Sequence, residues 1–179
     1  MQFPLVLLVA LLTFRGLGAL GVTRFASWPA SAAHALAVML LMTASAHFVP
    51  ESVTVMPNHA DLVRMVPPFV PFPGVMVYLT GVFELLGAVG LVVAGTRRLA
   101  ALALVALFVM LLPANVYAAL ADVPFAGGEV TPLWLRVPEQ ILYIAFALWS
   151  ATRAAAKGRP ARDAAGPARQ PTMIRSSGS

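Results

Sequence analysis

The amino-acid sequence predicts an all-α, polytopic membrane protein, and three observations lead there. The 179 residues are 60% hydrophobic and only 11% charged, which leaves too little polar surface for a soluble globule. Mean hydropathy is +0.85. The apolar residues fall in long runs near the length of a membrane helix, and the arginines collect at alternate ends of those runs.

The runs are residues 3–20, 30–49, 74–95, 97–120 and 132–152. About twenty apolar residues, at 1.5 Å each, cross the hydrocarbon core. Pro113 and Pro138 lie inside the fourth and fifth spans, where each removes a backbone donor and bends its helix. The first run also has the short leucine-rich core of a signal peptide. No positive charge precedes it, Arg15 follows it, and no A-x-A site is visible, so the reading adopted is a retained helix.

Orientation follows from the charges. Arg24, the Arg97–Arg98 pair, and Arg153, Lys157, Arg159 and Arg162 fall on one side of five crossings. The opposite side holds Glu51, Asp61, Asp122 and Glu129, with Arg64 and Arg136 as its positives. The positive-inside rule then places the C-terminus in the cytoplasm and the N-terminus outside. Trp28 and Trp149 fall at the inner interface, and Phe48, Tyr78, Tyr117 and Trp134 near the outer one. Residues 1–153 form the membrane unit. The stretch 154–179 is rich in Arg, Pro, Ala, Gly and Ser and predicts a disordered basic cytoplasmic tail.

Residues 50–73 form the longest outer loop. Asn58 is placed to cap a short helix over 59–66, with Leu62, Met65 and Val66 on its apolar side. Pro67, Pro68, Pro71 and Pro73 then predict an extended return into the third span. The helix either roofs the bundle at the interface or belongs to an ordinary ordered loop.

Several function classes drop out. The absence of cysteine excludes disulfides, thiolate metal sites and iron–sulfur ligation by this chain. The net charge of +5 lies at span ends and in the tail, not on an interleaved basic and aromatic face, so no nucleic-acid partner is expected. No metal site is expected either: His59, Asp61 and Glu51 lack fixed ligand spacing. Phosphate loops, nucleophile elbows and HExxH motifs are missing, and no covalent cofactor is implied.

Glu84 is the most informative residue. It sits near the middle of the third span, roughly 15 Å from either end, where an ionised group must be neutralised, paired or turned to a polar cavity. Thr80 lies one turn away. His47, Asn115, Arg136 and Gln140, together with Thr43, Ser45, Tyr117, Glu139 and Tyr143, fall in the same outer half of the membrane. Glu84, His47, Thr80, Asn115, Arg136 and Gln140 are therefore candidates for one polar pocket. Bland readings stand beside each: Glu84 as a neutral packing acid, His47 as an interface anchor, Asn115 as a cap on backbone freed by Pro113, and Arg136 paired with Glu139. Small residues recur every seven positions at Gly74, Gly81, Ala88 and Gly95, a spacing that lets another helix approach closely.

Taken in order, Ser45-Ala-His47-Phe48, Met65-Val-Pro67-Pro68, Val77-Tyr-Leu-Thr80-Gly81-Val-Phe-Glu84-Leu-Leu-Gly87, Arg97-Arg-Leu-Ala, Pro113-Ala-Asn115-Val-Tyr117 and Arg136-Val-Pro138-Glu-Gln140 resemble the DoxX-like family of bacterial integral membrane proteins. The resemblance covers about residues 30–150. It implies a four-helix transmembrane bundle, here with residues 3–20 as an extra N-terminal transmembrane helix, in a bacterial cytoplasmic membrane. Relatives named after DoxX and DoxD are linked with quinone-dependent thiosulfate oxidation and membrane oxidoreductase complexes. Ala44 and Ala46 depart from the glycine expected before the His-Phe pair, and Glu139 from an apolar position. The expectation is a subunit or accessory of a quinone-linked oxidoreductase complex, binding a quinone-type lipophile near Glu84. The alternatives are a non-enzymatic membrane anchor or scaffold with a protein partner or a second copy, and a small-solute carrier.

Overall fold

The computed structural model describes residues 2–124 and 132–152, and the regular structure among them is helical. The elements are α1 (Gln2–Ala19), a 3-10 turn (Thr23–Phe25), α2 (Trp28–Ser45), α3 (His59–Arg64), α4 (Pro73–Val92), α5 (Arg97–Leu120) and α6 (Leu133–Ala151). Three of the described helices, α2, α4 and α5, are long and apolar enough to cross a membrane. Helix α6 carries Arg136, Glu139 and Gln140 near its start and is less apolar. Glu129 and the tail 154–179, with Arg153, Lys157, Arg159 and Arg162, lie outside the described residues.

Helix α2 packs on α4, α4 on α5, α5 on α6, and α6 returns to α2, while α1 lies against α2. Helix α2 is thus the hub, and its composition suits that place. Ala32, Ala33, Ala35, Leu36, Met39 and Leu40 bury nearly all round the helix, because three helices and the 3-10 turn cover it. The small alanines let those neighbours approach closely. Leu91 of α4, Leu104 of α5, Ala147 of α6 and Leu7 of α1 complete the same core.

Helix α2 ends at Ser45, four residues short of the predicted span. The hydroxyls of Ser45 and Thr43 bond back to the carbonyls of Met42 (2.6 Å) and Leu40 (3.2 Å), which compete with continued helix. The chain then tightens into a turn, with His47 N–H on Ala44 O at 3.1 Å. His47, Phe48 and His59 of the following loop then meet Val77 and Tyr78 of α4 in place of another helical turn.

Asn58 caps α3 as expected, and the cap is reciprocal. Its Oδ1 accepts from Asp61 N–H at 3.1 Å, while Asp61 Oδ2 accepts from Asn58 N–H at 3.2 Å. Asn58 Nδ2 also donates to Val53 O, and His59 N–H to Val49 O, so these two residues tie the start of α3 to the preceding arm of the loop. Asn58→Ala is expected to cost about 1 kcal/mol or more of stability, and to admit protease near Val53. Limited proteolysis at equal helix content checks this. The return is not extended: Val70 N–H reaches Pro67 O, and Pro68 takes the second position of that turn, where its fixed φ fits.

Candidate functional site

Glu84 is 6% exposed and faces the last turn of α2. Thr43 Oγ1 lies 2.8 Å from its Oε2, and His47 Nε2 lies 3.7 Å from its Oε1. The other ring nitrogen is committed: His47 Nδ1 is 2.6 Å from Val77 O. A carbonyl only accepts, so Nδ1 carries a hydrogen and donates it. Thr80 Oγ1 lies 3.3 Å from the same nitrogen and donates to Val77 O at 2.9 Å. Helix α4 therefore fixes the imidazole tautomer, and Nε2 is the nitrogen left to exchange a proton with Glu84.

Two states follow. In one, Glu84 is an acid and His47 a neutral base. In the other, a carboxylate faces an imidazolium. The net charge is zero in both, which keeps the pair tolerable in an apolar surrounding. Thr43 serves either state. Its single hydroxyl hydrogen goes to the carboxylate, or to Leu40 O while the oxygen accepts from the acid.

Gly81 makes this approach feasible. A Cβ there would stand 2.5 Å from His47 Cβ and 2.7 Å from Cγ. Of the other small positions, Ala88 is buried and Gly74 lies under the His59 ring. Gly95 follows the end of α4 and has open space around it. On α4, two close approaches stood outside the seven-residue pattern: Gly87 against the Leu104 side chain and Gly90 against Ala100 Cβ. Their signal was the pair of small residues facing the α4–α5 seam.

His59 stacks on Tyr78 with ring centroids 4.0 Å apart and donates from Nδ1 to His47 O at 2.9 Å. The loop thus holds the backbone of His47 from above while Val77 holds its ring.

A second polar chain joins α5 and α6. Arg136 Nη1 donates to Asn115 Oδ1 (3.3 Å), Asn115 Nδ2 to Gln140 Oε1 (3.3 Å), and Gln140 Nε2 to Phe108 O (2.6 Å). Arg136, Gln140 and Tyr143 share a face of α6 by helical spacing. The six candidates accordingly gather as Glu84, His47 and Thr80 on the α2–α4 seam, and Asn115, Arg136 and Gln140 on the α5–α6 seam. Thr43, Val77 O and Phe108 O join them. Thr43 was legible at one helical turn before His47, whereas no side-chain pattern announces which carbonyl will accept.

Fold and site define a helical protein with membrane-length apolar helices and a buried acid–histidine pair. The chain belongs to the family described as Domain of unknown function (DUF8561), whose profile matches residues 36–151. That stretch holds most of α2, all of α3 to α6, and every residue of both polar groups. No curated protein and no solved structure matches the chain.

Proposed function

We propose that the chain is an integral membrane protein in which α2, α4, α5 and α6 cross the bilayer as a four-helix bundle and α1 crosses beside them. The N-terminus is outside and the C-terminus in the cytoplasm of a bacterial cell. In line with the DoxX-like resemblance, it serves as a subunit or accessory of a quinone-linked oxidoreductase complex, and a quinone-type lipophile docks its polar head at the Glu84–His47 pair.

One observation carries this reading. His47 presents Nε2 to Glu84 at 3.7 Å with its tautomer fixed from behind, so two buried groups able to give or take a proton stand side by side. A quinone carbonyl needs a hydrogen-bond donor, and its reduction needs protons. With no cysteine in the sequence, thiolate-held iron–sulfur clusters would come from a partner subunit.

A scaffold role is the second reading. It is favoured by Glu84 already having partners in the protein, Thr43 hydrogen-bonded to one oxygen and His47 3.7 Å from the other. Quinone content of protein extracted in native nanodiscs separates the two. Near-stoichiometric quinone in the wild type, and at least a fivefold loss in folded Glu84→Gln, is the expected result. Equal, trace quinone in both would leave the scaffold.

A further inference from the structure

At the end of the molecule where α2 begins, the described side chains are basic and aromatic. Arg15 of α1 places its guanidinium carbon 5.3 Å from the centre of the Trp28 ring. Trp28 stacks on Trp149 of α6, centroids 6.3 Å apart and planes 18° apart. Arg24 reaches the His34 ring and Val92 O, and Arg97 reaches Leu91 O, so these two are engaged with the protein. Arg15 differs: its Nε is buried and has no hydrogen-bond partner. A guanidinium donor left unmade is costly, and the half-buried Arg15 side chain gains by turning it toward an acceptor at the surface.

No carboxylate among the described residues supplies that acceptor. Glu51 and Asp61 lie in the loop at the opposite end, Asp122 follows the far end of α5, Glu139 stands in the first turns of α6, and Glu84 is engaged on α4. Trp28 and Pro29 of α2, with Trp149 and Thr152 at the end of α6, line an open cleft of about 580 Å³, and Arg15 meets this lining at the Trp28 ring. A second cleft of about 340 Å³, at the other end of α6, is lined by Pro4 of α1 and by Leu135, Pro138, Glu139 and Leu142 of α6. Helices α1 and α6 both pack on α2 and share the second cleft, so a seam runs between them from that mostly apolar end toward Arg15, Trp28 and Trp149.

We propose that this seam binds one anionic phospholipid, its phosphate against Arg15 at the Trp28–Trp149 platform and an acyl chain along the α1–α6 groove. Charge complementarity selects the head, and the apolar run selects a lipid over a free anion. The site rests on the membrane placement proposed above and is independent of the quinone.

The test uses the full chain, first recovered from membranes washed with carbonate and then exchanged into detergent. Binding of dioleoylphosphatidylglycerol, dioleoylphosphatidylcholine and glycerol 3-phosphate is then compared by native mass spectrometry. The expected result is one retained phosphatidylglycerol, preferred at least fivefold over phosphatidylcholine, with glycerol 3-phosphate unable to compete. Arg15→Gln should abolish the preference, and Trp149→Leu should weaken it without touching the charge. Equal retention of both lipids by the wild type overturns the proposal without any variant. So does an unchanged preference in Arg15→Gln, or displacement by glycerol 3-phosphate. Release of the protein by carbonate would instead overturn the membrane placement itself.

Discussion

Gly81→Leu is expected to unfasten α2 from α4 and to cost about 3 kcal/mol or more of stability. Even a methyl group at 81 would stand 2.5 Å from His47 Cβ, a separation that carbon atoms do not tolerate. The neighbour has little room to yield. The His47 ring is tied to Val77 O, and its carbonyl to His59, so relief requires moving the backbone of the α2 terminus and the loop together. Gly81→Ala should give a smaller loss of the same kind. Gly95→Leu is the matched control: open space surrounds that position, and the change should stay within about 0.5 kcal/mol. Thermal unfolding in a fixed detergent, read by helix content, orders the three variants. An equal effect at 81 and 95 would contradict the close packing described here.

The second large effect is expected at the acid–histidine pair. His47→Leu leaves the Glu84 carboxyl buried with one partner removed, and breaking such a pair costs about 3–5 kcal/mol. Glu84→Gln keeps the shape and the Thr43 contact, so its cost should be smaller, about 1 kcal/mol. In the double variant His47→Leu with Glu84→Gln the losses should fall short of the sum by at least about 1 kcal/mol, because the carboxyl that His47→Leu strands is gone. Additive losses in that cycle would mean that the two side chains act independently despite their 3.7 Å approach.

Long apolar runs are legible because a bilayer imposes one length and one polarity on whatever crosses it, and the helices Gln2–Ala19, Pro73–Val92, Arg97–Leu120 and Leu133–Ala151 start and stop close to where those runs do. The Asn58 cap was legible for a local reason, since its chemistry acts over three residues. Helix α2 shows the limit. Its apolar run continues to Val49, but hydroxyl back-bonding at Thr43 and Ser45 and the tether of His47 to Val77 close it at Ser45. That tether spans thirty residues of sequence, and no local pattern encodes it. Glu84 and His47 could be named because ionisable side chains within such apolar runs are rare. Their pairing depends on a glycine opposite, and Gly81 looked equivalent to Gly74 and Gly95 until the neighbouring helix was in place.

The fixed tautomer of His47 also bears on electrical behaviour. A proton passing between Nε2 and Glu84 moves no more than 3.7 Å, about an eighth of a hydrocarbon core roughly 30 Å thick. A full membrane crossing is worth about 2.3 kcal/mol per 100 mV, so the field acts on this step with at most about 0.3 kcal/mol. That is below thermal energy. Placed in a bilayer, the pair is close to deaf to voltage, and whichever of its two states prevails is decided by what sits beside it.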